Sequence, residues 1–406
     1  MSVKKRVCML SFSPMLFDAR IQKEAQALRD AGYLVKNIYL EDQRYLSGIK
    51  NLTEAQENYN RDMHGIQTIA ILLWTKKFNN IWKPLYHTFM SIELTFKLLY
   101  VLITNKAEYY HIHDLEPGLF AWVGKFIYGG KLVYDAHENE IHRHGPNRVG
   151  ILSKYEKFIV SNSSLNITVN EDIKLKMQKL HNKPVLEIAN RPKYIPYDHI
   201  DRERLRTEFA LRYDQKVIMY VGYVIPWLRG VEIVLEALEH ESMNDCVFLI
   251  MGVGRLDEFK NHLKNYAEKK GLKNAIKRVL FIGPYSPDEI VHYLNGADVS
   301  MLLYQSDQSF NQTNNAPNKL YQSIMARTPV LASHNETFPV YIYGNGIGKI
   351  GETVRESSVD DVRMKILTIL DKDNQELYRR NANLLAQEVS WEAEASKLIE
   401  AYELLN

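Results

Sequence analysis

The amino-terminal half of the chain alternates short apolar runs with segments in which apolar residues recur every three or four positions. Runs of the first kind predict buried strands, and segments of the second kind predict amphipathic helices. The predicted strands are residues 6–11, 34–40, 66–73, 109–113 and 132–135, and the predicted helices are residues 18–31, 83–105 and 117–128. Strands that alternate with helices pair in parallel, so this half predicts a doubly wound α/β domain.

The carboxyl-terminal half repeats the alternation and predicts a second doubly wound sheet. Its predicted strands are residues 217–222, 246–251, 279–282, 299–303 and 330–332, and its predicted helices are residues 231–239, 256–270, 287–294 and 318–325. A polar stretch with Pro192 and Pro196 lies between the halves and is typical of an interdomain linker. We therefore expect domains at residues 1–193 and 194–390, with a final amphipathic helix at about 391–406 that packs back on the first domain.

Charge and cysteine content narrow the class of protein. The 406 residues carry 51 basic and 49 acidic side chains, a net charge of +2, which argues against a nucleic-acid-binding protein. Cys8 and Cys246 each lie in an apolar run, and the two runs belong to different predicted domains. Two buried thiols of a cytoplasmic protein explain this better than a disulfide does.

One apolar segment raises the question of a membrane. The run Val7–Leu10 is too short for a signal peptide, and the segment Leu85–Ile103 contains His87, Glu93 and Lys97, which makes it a poor transmembrane helix. Several lysines surround the second segment, and a basic, apolar helix can lie on an anionic membrane surface. Two interpretations stay open here, a helix that packs in the core and a peripheral contact at the inner face of the cell membrane.

In the first domain, reactive residues follow two predicted strands. His111, His113 and Asp114 end one strand, and Asp135 and His137 end the next. A His-x-His-Asp sequence is typical of a metal site, but the pattern supplies no clear third ligand, so we predict no metal and a hydrogen-bonding role at a sugar. For His111 and His113, an ordinary polar surface loop explains the sequence equally well. For His137, flanked by carboxylates that tune its charge, we favour a functional role.

In the second domain, two loops that join a strand to a helix are suited to phosphate. One leaves Gly222 and reaches Arg229, whose guanidinium can bind phosphate in a bidentate manner. The other brings Asn318 and Lys319 into the first turn of a helix, where a lysine opposes the helix dipole unless an anion is bound. The glycine turn ending at Gly254 is a weak signal by itself. Two facing domains of this kind would hold a nucleoside diphosphate in a cleft at the carboxyl ends of their strands.

An ordered set of short motifs resembles glycosyltransferase family 4, which has the GT-B fold. The similarity spans nearly the whole chain, and no single motif decides it. The motifs are Asp18–Ile21, Tyr134–Glu138, Val217–Gly222, Arg229–Gly230, Gly252–Gly254, Phe281–Gly283, Gly296–Asp298, Pro317–Ala326, Pro329–Val330 and Trp391–Glu392. The resemblance implies a retaining transfer from a nucleoside-diphosphate sugar, with UDP favoured and no metal required.

The resemblance also implies roles for individual residues. Arg229 takes the position of the family's phosphate-binding lysine, and His137 that of the histidine near the reacting sugar and acceptor. Asn314 and Gln322 stand where the family has a pair of glutamates, so both carboxylates are amides here. We expect three groups of site residues. They are catalytic Asp135, His137 and Glu138; donor-binding Gly222, Arg229, Gly254, Asn314, Pro317, Asn318, Lys319, Leu320 and Gln322; and acceptor-side Asp18, His113 and Asp114.

The leading hypothesis is a cytoplasmic hexosyl-type enzyme that extends a saccharide or a lipid-linked glycan in cell-surface polysaccharide or glycoconjugate biosynthesis. Its partners would be a nucleotide-sugar donor, a glycan or lipid-linked acceptor and no nucleic acid. The amides at Asn314 and Gln322 keep open a second hypothesis, a nucleotide-sugar-binding or regulatory subunit without turnover. A GT-B epimerase, which would convert its nucleotide sugar without an acceptor, is a third.

Overall fold

The computed structural model describes residues 5–12, 18–41, 62–63, 66–77, 82–137, 149–283, 287–304, 318–335, 338–344, 346–355 and 358–405. Glu138, Asn314 and Pro317, three of the predicted site residues, lie outside these ranges. The chain divides into two compact units, Met1–Asn190 with Glu394–Asn406, and Arg191–Ala393. None of the described helices is long and apolar enough to cross a membrane.

The first unit contains an eight-stranded sheet in the order β3-β4-β2-β1-β5-β6-β7-β8. Its neighbouring strands are parallel, except that the two-residue β3 runs antiparallel to β4. The strands are β1 (Arg6–Ser11), β2 (Leu34–Leu40), β3 (Asp62–Met63), β4 (Ile66–Ile71), β5 (Tyr109–His113), β6 (Lys131–Ala136), β7 (Leu165–Thr168) and β8 (Leu186–Glu187). The helices are α1 (Ala19–Asp30), α2 (Lys83–Thr104), α3 (Gly118–Tyr128), α4 (Val149–Asn162) and α5 (Glu171–His181).

The two faces of this sheet differ in character. Side chains alternate along a strand, so neighbours on β5 point to opposite faces. Tyr110 and Ile112 belong to an apolar cluster that also contains buried residues of α2, α3, α4 and α5. His111 points the other way, towards Glu24 of α1 and Tyr402 of the last helix. One face of the sheet is therefore an ordinary core, and the other contains buried polar groups.

The second unit contains a six-stranded parallel sheet in the order β11-β10-β9-β12-β13-β14. Apolar clusters cover both faces, with Met219 and Val221 in one and Ile218 and Tyr220 in the other. The strands are β9 (Lys216–Tyr223), β10 (Cys246–Val253), β11 (Val279–Ile282), β12 (Val299–Leu302), β13 (Val330–Ser333) and β14 (Gly351–Val354). The helices are α6 (Arg204–Glu208), α7 (Val231–Leu238), α8 (Leu256–Lys270), α9 (Pro287–Asn295), α10 (Asn318–Met325), α11 (Phe338–Ile342), α12 (Val359–Leu370) and α13 (Lys372–Glu388). The last helix, α14 (Trp391–Leu404), begins in this unit and continues into the first.

The prediction of two doubly wound, parallel-sheet domains is confirmed. Residues from Glu394 onward, which form most of α14, belong to the first unit. There the carboxylate of Glu394 accepts the backbone N–H of Ala189 at 2.9 Å, and Tyr402 is fully buried. The chain thus contributes its last helix to the face of the first sheet that holds the buried polar groups.

Candidate active site

The carboxyl ends of β5 and β6 bring the predicted residues of the first unit together. The register of the two strands sets His113 opposite Asp135. The next residue, Asp114, has a left-handed backbone conformation with φ of 63°, which turns the chain sharply at the strand end. Its carboxylate accepts the backbone N–H of His137 at 3.1 Å, and its own N–H donates to the carbonyl of Asp135 at 2.9 Å. The two loops are therefore held as one structure.

Asp135 is the centre of this cluster and is fully buried. The guanidinium of Arg20 on α1 donates to both of its carboxylate oxygens, each at 2.8 Å, and a third N–H of Arg20 donates to the carbonyl of Ile188 at 2.6 Å. Burial acts to raise the pKa of Asp135, but the charges of Arg20 and His137 outweigh it and hold this pKa well below its usual range. Asp135 is thus a fixed anion at neutral pH.

His137 stands at the exposed edge of the cluster, with 14% of its side chain accessible. Its Nε2 lies 3.0 Å from Asp135 Oδ2, and its Nδ1 lies 3.6 Å from Asp18 Oδ2. Burial opposes a charge on the ring, but the Asp135 carboxylate outweighs burial and raises the pKa of His137 to about 9. At neutral pH His137 is therefore an imidazolium, which donates hydrogen bonds and accepts none.

Asp18 and His113 complete the predicted set. Asp18 is the N-cap of α1, where one oxygen accepts the backbone N–H groups of Arg20 and Ile21 at 3.0 and 3.2 Å. The Nδ1 of His113 lies 3.3 Å from Asp135 Oδ2 and 3.1 Å from His137 Nε2, and burial lowers the pKa of His113. The described catalytic and acceptor-side residues of the prediction thus form one continuous cluster.

Sequence reasoning missed the part of this cluster that lies deepest. Arg20 and Glu24, both buried, form an ion pair at 3.0 Å one helical turn apart, and His111 joins them from β5. The available signal was their position, because Arg20 and Glu24 share the face of α1 that carries Ile21 and Leu28. Charged side chains on the apolar face of a helix are almost never fully buried unless they are paired.

Glu24, His111, His113 and Asp135 each offer one candidate metal-ligand atom, and these atoms lie within 4.8 Å of one another. Glu24 supplies the ligand that the sequence pattern lacked. However, Arg20 donates to both oxygens of Asp135 and lies 3.0 Å from Glu24, so a fixed cation already occupies the position between these carboxyl groups. A divalent cation here would lie beside the buried guanidinium and be repelled by it. The absence of a metal stays a prediction.

In the second unit, the two predicted cations, Arg229 and Lys319, both pack against tyrosine rings. Lys319 lies in the first turn of α10 and donates to the hydroxyl of Tyr220 at 3.1 Å. Its ammonium lies 4.5 Å from the centre of the Tyr220 ring and 5.6 Å from that of Tyr304. The guanidinium of Arg229 lies 4.8 Å from the centre of the Tyr304 ring. Both cations therefore meet at one aromatic face, where cation–π attraction holds them.

Gly222 explains how Lys319 reaches this position. It lies near the end of β9 with φ of 129°, and a side chain built on it would collide with the Lys319 ammonium stem. Gly254, at φ of 100°, is similarly covered by the ring of Tyr223. Glycine is needed at both positions because the backbone has a positive φ and because another side chain approaches too closely for a Cβ atom.

The electrostatics of Lys319 differ from those of an ordinary lysine. Burial and repulsion by Arg229 lower its pKa to about 7, and no carboxylate of the described residues lies close enough to offset them. The ammonium also sits at the positive end of the α10 dipole. An anion bound here would offset the burial of the ammonium, its repulsion by Arg229 and the unfavourable helix dipole. The position is therefore suited to a phosphate group.

The remaining donor-side residues are on α10. Asn318 is exposed at its start, and Gln322 is half-buried one turn further along. The side chain of Leu320 is fully buried in the apolar core, so only its backbone could contact a ligand. Arg229, Lys319 and Gly222 are therefore the predicted donor residues that the fold brings into direct proximity.

Residues 201–388 match the family described as glycosyl transferases group 1. No curated protein is significantly similar to the chain in sequence. Several solved structures share the fold over nearly the full length of both chains. HepE from Anabaena, in complex with UDP and glucose, has 13% identity and a TM-score of 0.66, with 98% of this chain and 99% of HepE covered. Sucrose-phosphate synthase from Thermosynechococcus elongatus has 14% identity and a TM-score of 0.69, with 99% of each chain covered.

WaaG, a glycosyltransferase involved in lipopolysaccharide biosynthesis, has 14% identity and a TM-score of 0.62, with 97% of this chain and 98% of WaaG covered. Identities this low establish the fold alone, which is the GT-B fold. The family match covers the unit that carries Arg229 and Lys319. Together these findings support a glycosyltransferase, while membership of family 4 in particular stays a prediction.

Proposed function

We propose that the protein transfers a sugar from a nucleoside-diphosphate sugar, with a UDP-sugar favoured, to a saccharide or lipid-linked glycan. The observation that carries the proposal is the arrangement of Arg229 and Lys319 on the rings of Tyr220 and Tyr304 at a helix start. Two cations and a helix dipole can neutralise the charge that develops on a departing diphosphate, which lowers the barrier of the transfer. The same groups would make a metal unnecessary.

In this proposal His137 acts on the sugar side as a hydrogen-bond donor. Its raised pKa, about 9, keeps the imidazolium form at neutral pH, and its partly exposed ring can reach a ligand. A general base would need the neutral form, so the raised pKa favours stabilisation of developing negative charge over proton abstraction. Retention of the anomeric configuration, as in family 4, is part of the proposal.

The first experiment is calorimetric titration of the protein with UDP, GDP, ADP and dTDP in the presence of a chelator. We expect one nucleotide to bind, and Lys319→Met to weaken that binding, because the substitution removes the ammonium and keeps the length of the side chain. Lys365→Met is the matched control, since Lys365 is paired with Glu352 elsewhere in the same unit. The corresponding nucleotide sugar would then be incubated with candidate acceptors, and the anomeric configuration of the product read by NMR.

Four results would contradict the proposal. Binding that requires a divalent cation would contradict metal independence. Equal affinity in the wild type and Lys319→Met would exclude this diphosphate position. A nucleotide sugar that binds but is neither transferred nor hydrolysed would point to a silent binding subunit, and conversion of the donor without an acceptor would point to an epimerase.

We also propose that the protein works in the cytoplasm in peripheral contact with the inner face of the cell membrane. Helix α2 buries only Leu98 and Leu102 and exposes a stripe of large apolar side chains. The stripe repeats every three or four residues, as one face of a helix does. Its members, with exposed fractions of 44 to 71%, are Leu85, Phe89, Ile92, Phe96, Tyr100 and Ile103.

Helices α3 and α4 extend this apolar surface. Trp122 of α3 stacks against Phe126 and meets Phe158 of α4, and Phe126 and Ile151 are 78 and 77% exposed. Exposed lysines lie on or beside the three helices and outnumber the exposed acidic residue Glu116. The lysines are Lys83, Lys106, Lys154 and Lys157. An apolar surface with an excess of positive charge suits an anionic lipid surface better than a neutral one.

Vesicle flotation tests this contact. We expect binding to vesicles rich in phosphatidylglycerol and weak binding to pure phosphatidylcholine. Phe89→Ser with Phe96→Ser should abolish the binding, and Lys154→Glu with Lys157→Glu should weaken it. Met364→Ser with Leu384→Ser, two exposed apolar residues of the second unit, is the control. Binding that ignores the first pair of changes, or a stable dimer that the first pair dissolves, would contradict a lipid partner.

A further inference from the structure

The last helix of the chain reaches the buried face of the first sheet through Tyr402. Its hydroxyl lies 2.9 Å from His111 Nδ1, a contact between residues 291 positions apart in sequence. Its ring packs against those of Tyr33 and Tyr109, with centroids 5.5 and 5.1 Å away. Tyr402 is fully buried, so its hydroxyl has few alternatives to this hydrogen bond. The orientation of the His111 ring is therefore set by α14.

His111 links this helix to α1. Its Nε2 lies 3.5 Å from Glu24 Oε2, and its ring stacks on that of His113 with centroids 4.6 Å apart. Burial, together with the neighbouring His113, holds the pKa of His111 well below its usual value, so the ring is neutral. Because its Nδ1 is held by the Tyr402 hydroxyl, the neutral His111 ring sterically restricts the positions open to the Glu24 carboxyl.

Glu24 in turn contacts Arg20, the same guanidinium that pairs with Asp135. Arg20 Nη2 lies 3.0 Å from Glu24 Oε1 and 2.8 Å from Asp135 Oδ1. Burial raises the pKa of Glu24 to about 8, although Arg20 opposes the shift. At neutral pH Glu24 is therefore mostly protonated, and the charge of Arg20 is available to Asp135. An ionised Glu24 would compete with Asp135 for the same guanidinium.

We propose that Tyr402, His111 and Glu24 are positioning residues through which the carboxyl-terminal helix orients the Arg20–Asp135 pair and, through it, His137. Tyr402 orients His111, His111 confines Glu24, and the confined carboxyl leaves both N–H groups of Arg20 on Asp135. Asp135 then holds His137 as an imidazolium, with Nε2 3.0 Å from Asp135 Oδ2 and Nδ1 3.6 Å from Asp18 Oδ2. The chain of contacts lies entirely within the first unit, on the polar face of its sheet.

The charged and titratable groups around Glu24 determine how the network responds to pH. Those that act on Glu24 or contact it are Asp18, Arg20, His111, Asp135, His137 and Tyr402. When Glu24 loses its proton near pH 8, the added negative charge divides Arg20 between two carboxylates. We expect Asp135 to be held less rigidly above that pH, with a shift in the titration of His137.

The decisive experiment is an NMR titration of the His137 ring in the wild type, Tyr402→Phe and Glu24→Gln. We expect Tyr402→Phe to shift the His137 titration midpoint and to broaden the His111 resonance. Tyr110→Phe is the matched control, because Tyr110 neighbours His111 on β5 and also loses a buried hydroxyl contact, but on the opposite face. This readout requires no turnover, so it is independent of the proposed transferase function.

Activity provides a second readout, which does rest on the proposed function. Tyr402→Phe should lower kcat roughly 3- to 10-fold, the usual effect of one lost buried hydrogen bond, and leave KM for the donor unchanged. Glu24→Gln preserves the shape and neutrality of the protonated acid but cannot ionise. It should therefore remove the component of the pH profile that titrates near pH 8.

Several outcomes would overturn the proposal. One is an identical His137 titration in the wild type and both variants. Another is a Glu24 carboxyl that titrates below pH 6 in the wild-type protein, which a side-chain carbon NMR titration measures without any substitution. A third is a stoichiometric metal that a chelator removes while the His111 and His113 resonances shift, because the cluster would then be a metal site.

Discussion

Two charge clusters, one buried in the first unit and one half-buried in the second, compensate the cost of removing charges from water in opposite ways. In the first unit, the charge of buried Arg20 is matched by the Asp135 carboxylate at 2.8 Å, and the Glu24 carboxyl lies 3.0 Å from the same guanidinium. In the second, half-buried Lys319 lies against tyrosine rings and is repelled by Arg229. Burial disfavours the charged form in both places, so the difference comes from the sign of the neighbours.

The difference appears directly in two titrating groups. Next to a carboxylate, the pKa of His137 rises to about 9 in spite of burial. Next to a guanidinium, the pKa of Lys319 falls to about 7 because burial and Arg229 act together. A cluster that contains its own counter-charges is complete without a ligand, whereas a cluster of cations on aromatic faces is completed by an anion. The comparison assigns positioning to the first cluster and anion binding to the second.

The largest expected effect is on stability. Arg20→Met leaves Asp135 buried without its main partner, and we expect it to lower the free energy of unfolding by about 3–5 kcal/mol. Urea unfolding followed by circular dichroism measures this. Arg6→Met, which breaks the exposed pair with Glu108, should cost only about 0–1 kcal/mol. Equal losses in the two variants would contradict the difference in burial.

His137→Ala tests whether the first cluster serves chemistry. The substitution removes a charged donor, so we expect kcat to fall about 10²- to 10³-fold with little change in nucleotide affinity. In the wild type, kcat should be constant through neutral pH and fall as pH rises through 9, where the imidazolium loses its proton. Initial rates across pH and calorimetry with the nucleotide measure both. An alanine variant with normal turnover would remove His137 from the reaction.

Lys319→Met is the counterpart of Arg20→Met in the second cluster, with two expected effects. Loss of a charge-assisted contact should weaken nucleoside-diphosphate binding by about 1.5–3 kcal/mol. Without ligand, the variant should be as stable as the wild type or more stable, because the removed ammonium has no carboxylate counter-charge among the described residues. Calorimetry and urea unfolding measure the two effects. A loss of unliganded stability as large as that of Arg20→Met would refute the contrast between the clusters.

Proton linkage is the smallest and most specific expected effect. A Lys319 with a pKa of about 7 is half protonated at pH 7 before binding. A bound diphosphate favours the ammonium and raises this pKa, so binding takes up about half a proton at pH 7 and weakens as pH rises. Calorimetry in buffers of different ionisation enthalpy measures the uptake. Lys319→Arg should abolish it, since a guanidinium stays charged.

The sequence predicted the elements of the fold well because hydrophobic periodicity and helix-ending residues are local signals. Helix α1 begins after Asp18 and ends before Gly32, and α8 ends at Gly271, as the pattern indicates. The strand predicted at 66–73 ends earlier, at Ile71, which is the last residue paired with β2. The apolar run continues further because Leu72 and Leu73 are buried without being paired in the sheet. The pattern did not reveal α4, α5, α12 or α13, whose apolar positions are diluted by charged residues.

The site residues at the ends of the strands were predicted from the sequence, whereas the buried residues behind them were not. His113, Asp114, Asp135 and His137 follow strands, and parallel strands end at one edge, so their proximity follows from the pattern. The contacts that Glu24 and Tyr402 make with His111 do not follow from the pattern. Their side chains point from α1 and α14 onto the same sheet face, and no local spacing encodes a contact with His111.

By itself, the sequence determined the periodicity of strands and helices, and hence the class of fold, because that information is carried by residues a few positions apart. It also determined that Arg229 and Lys319 stand where a strand passes into a helix. Only the tertiary structure decided which charges are matched. The pairing of Arg20 with Asp135 joins residues 115 positions apart, and Lys319 meets Tyr220 across 99. Burial and pairing set the pKa of each group, and both depend on which distant segments pack together.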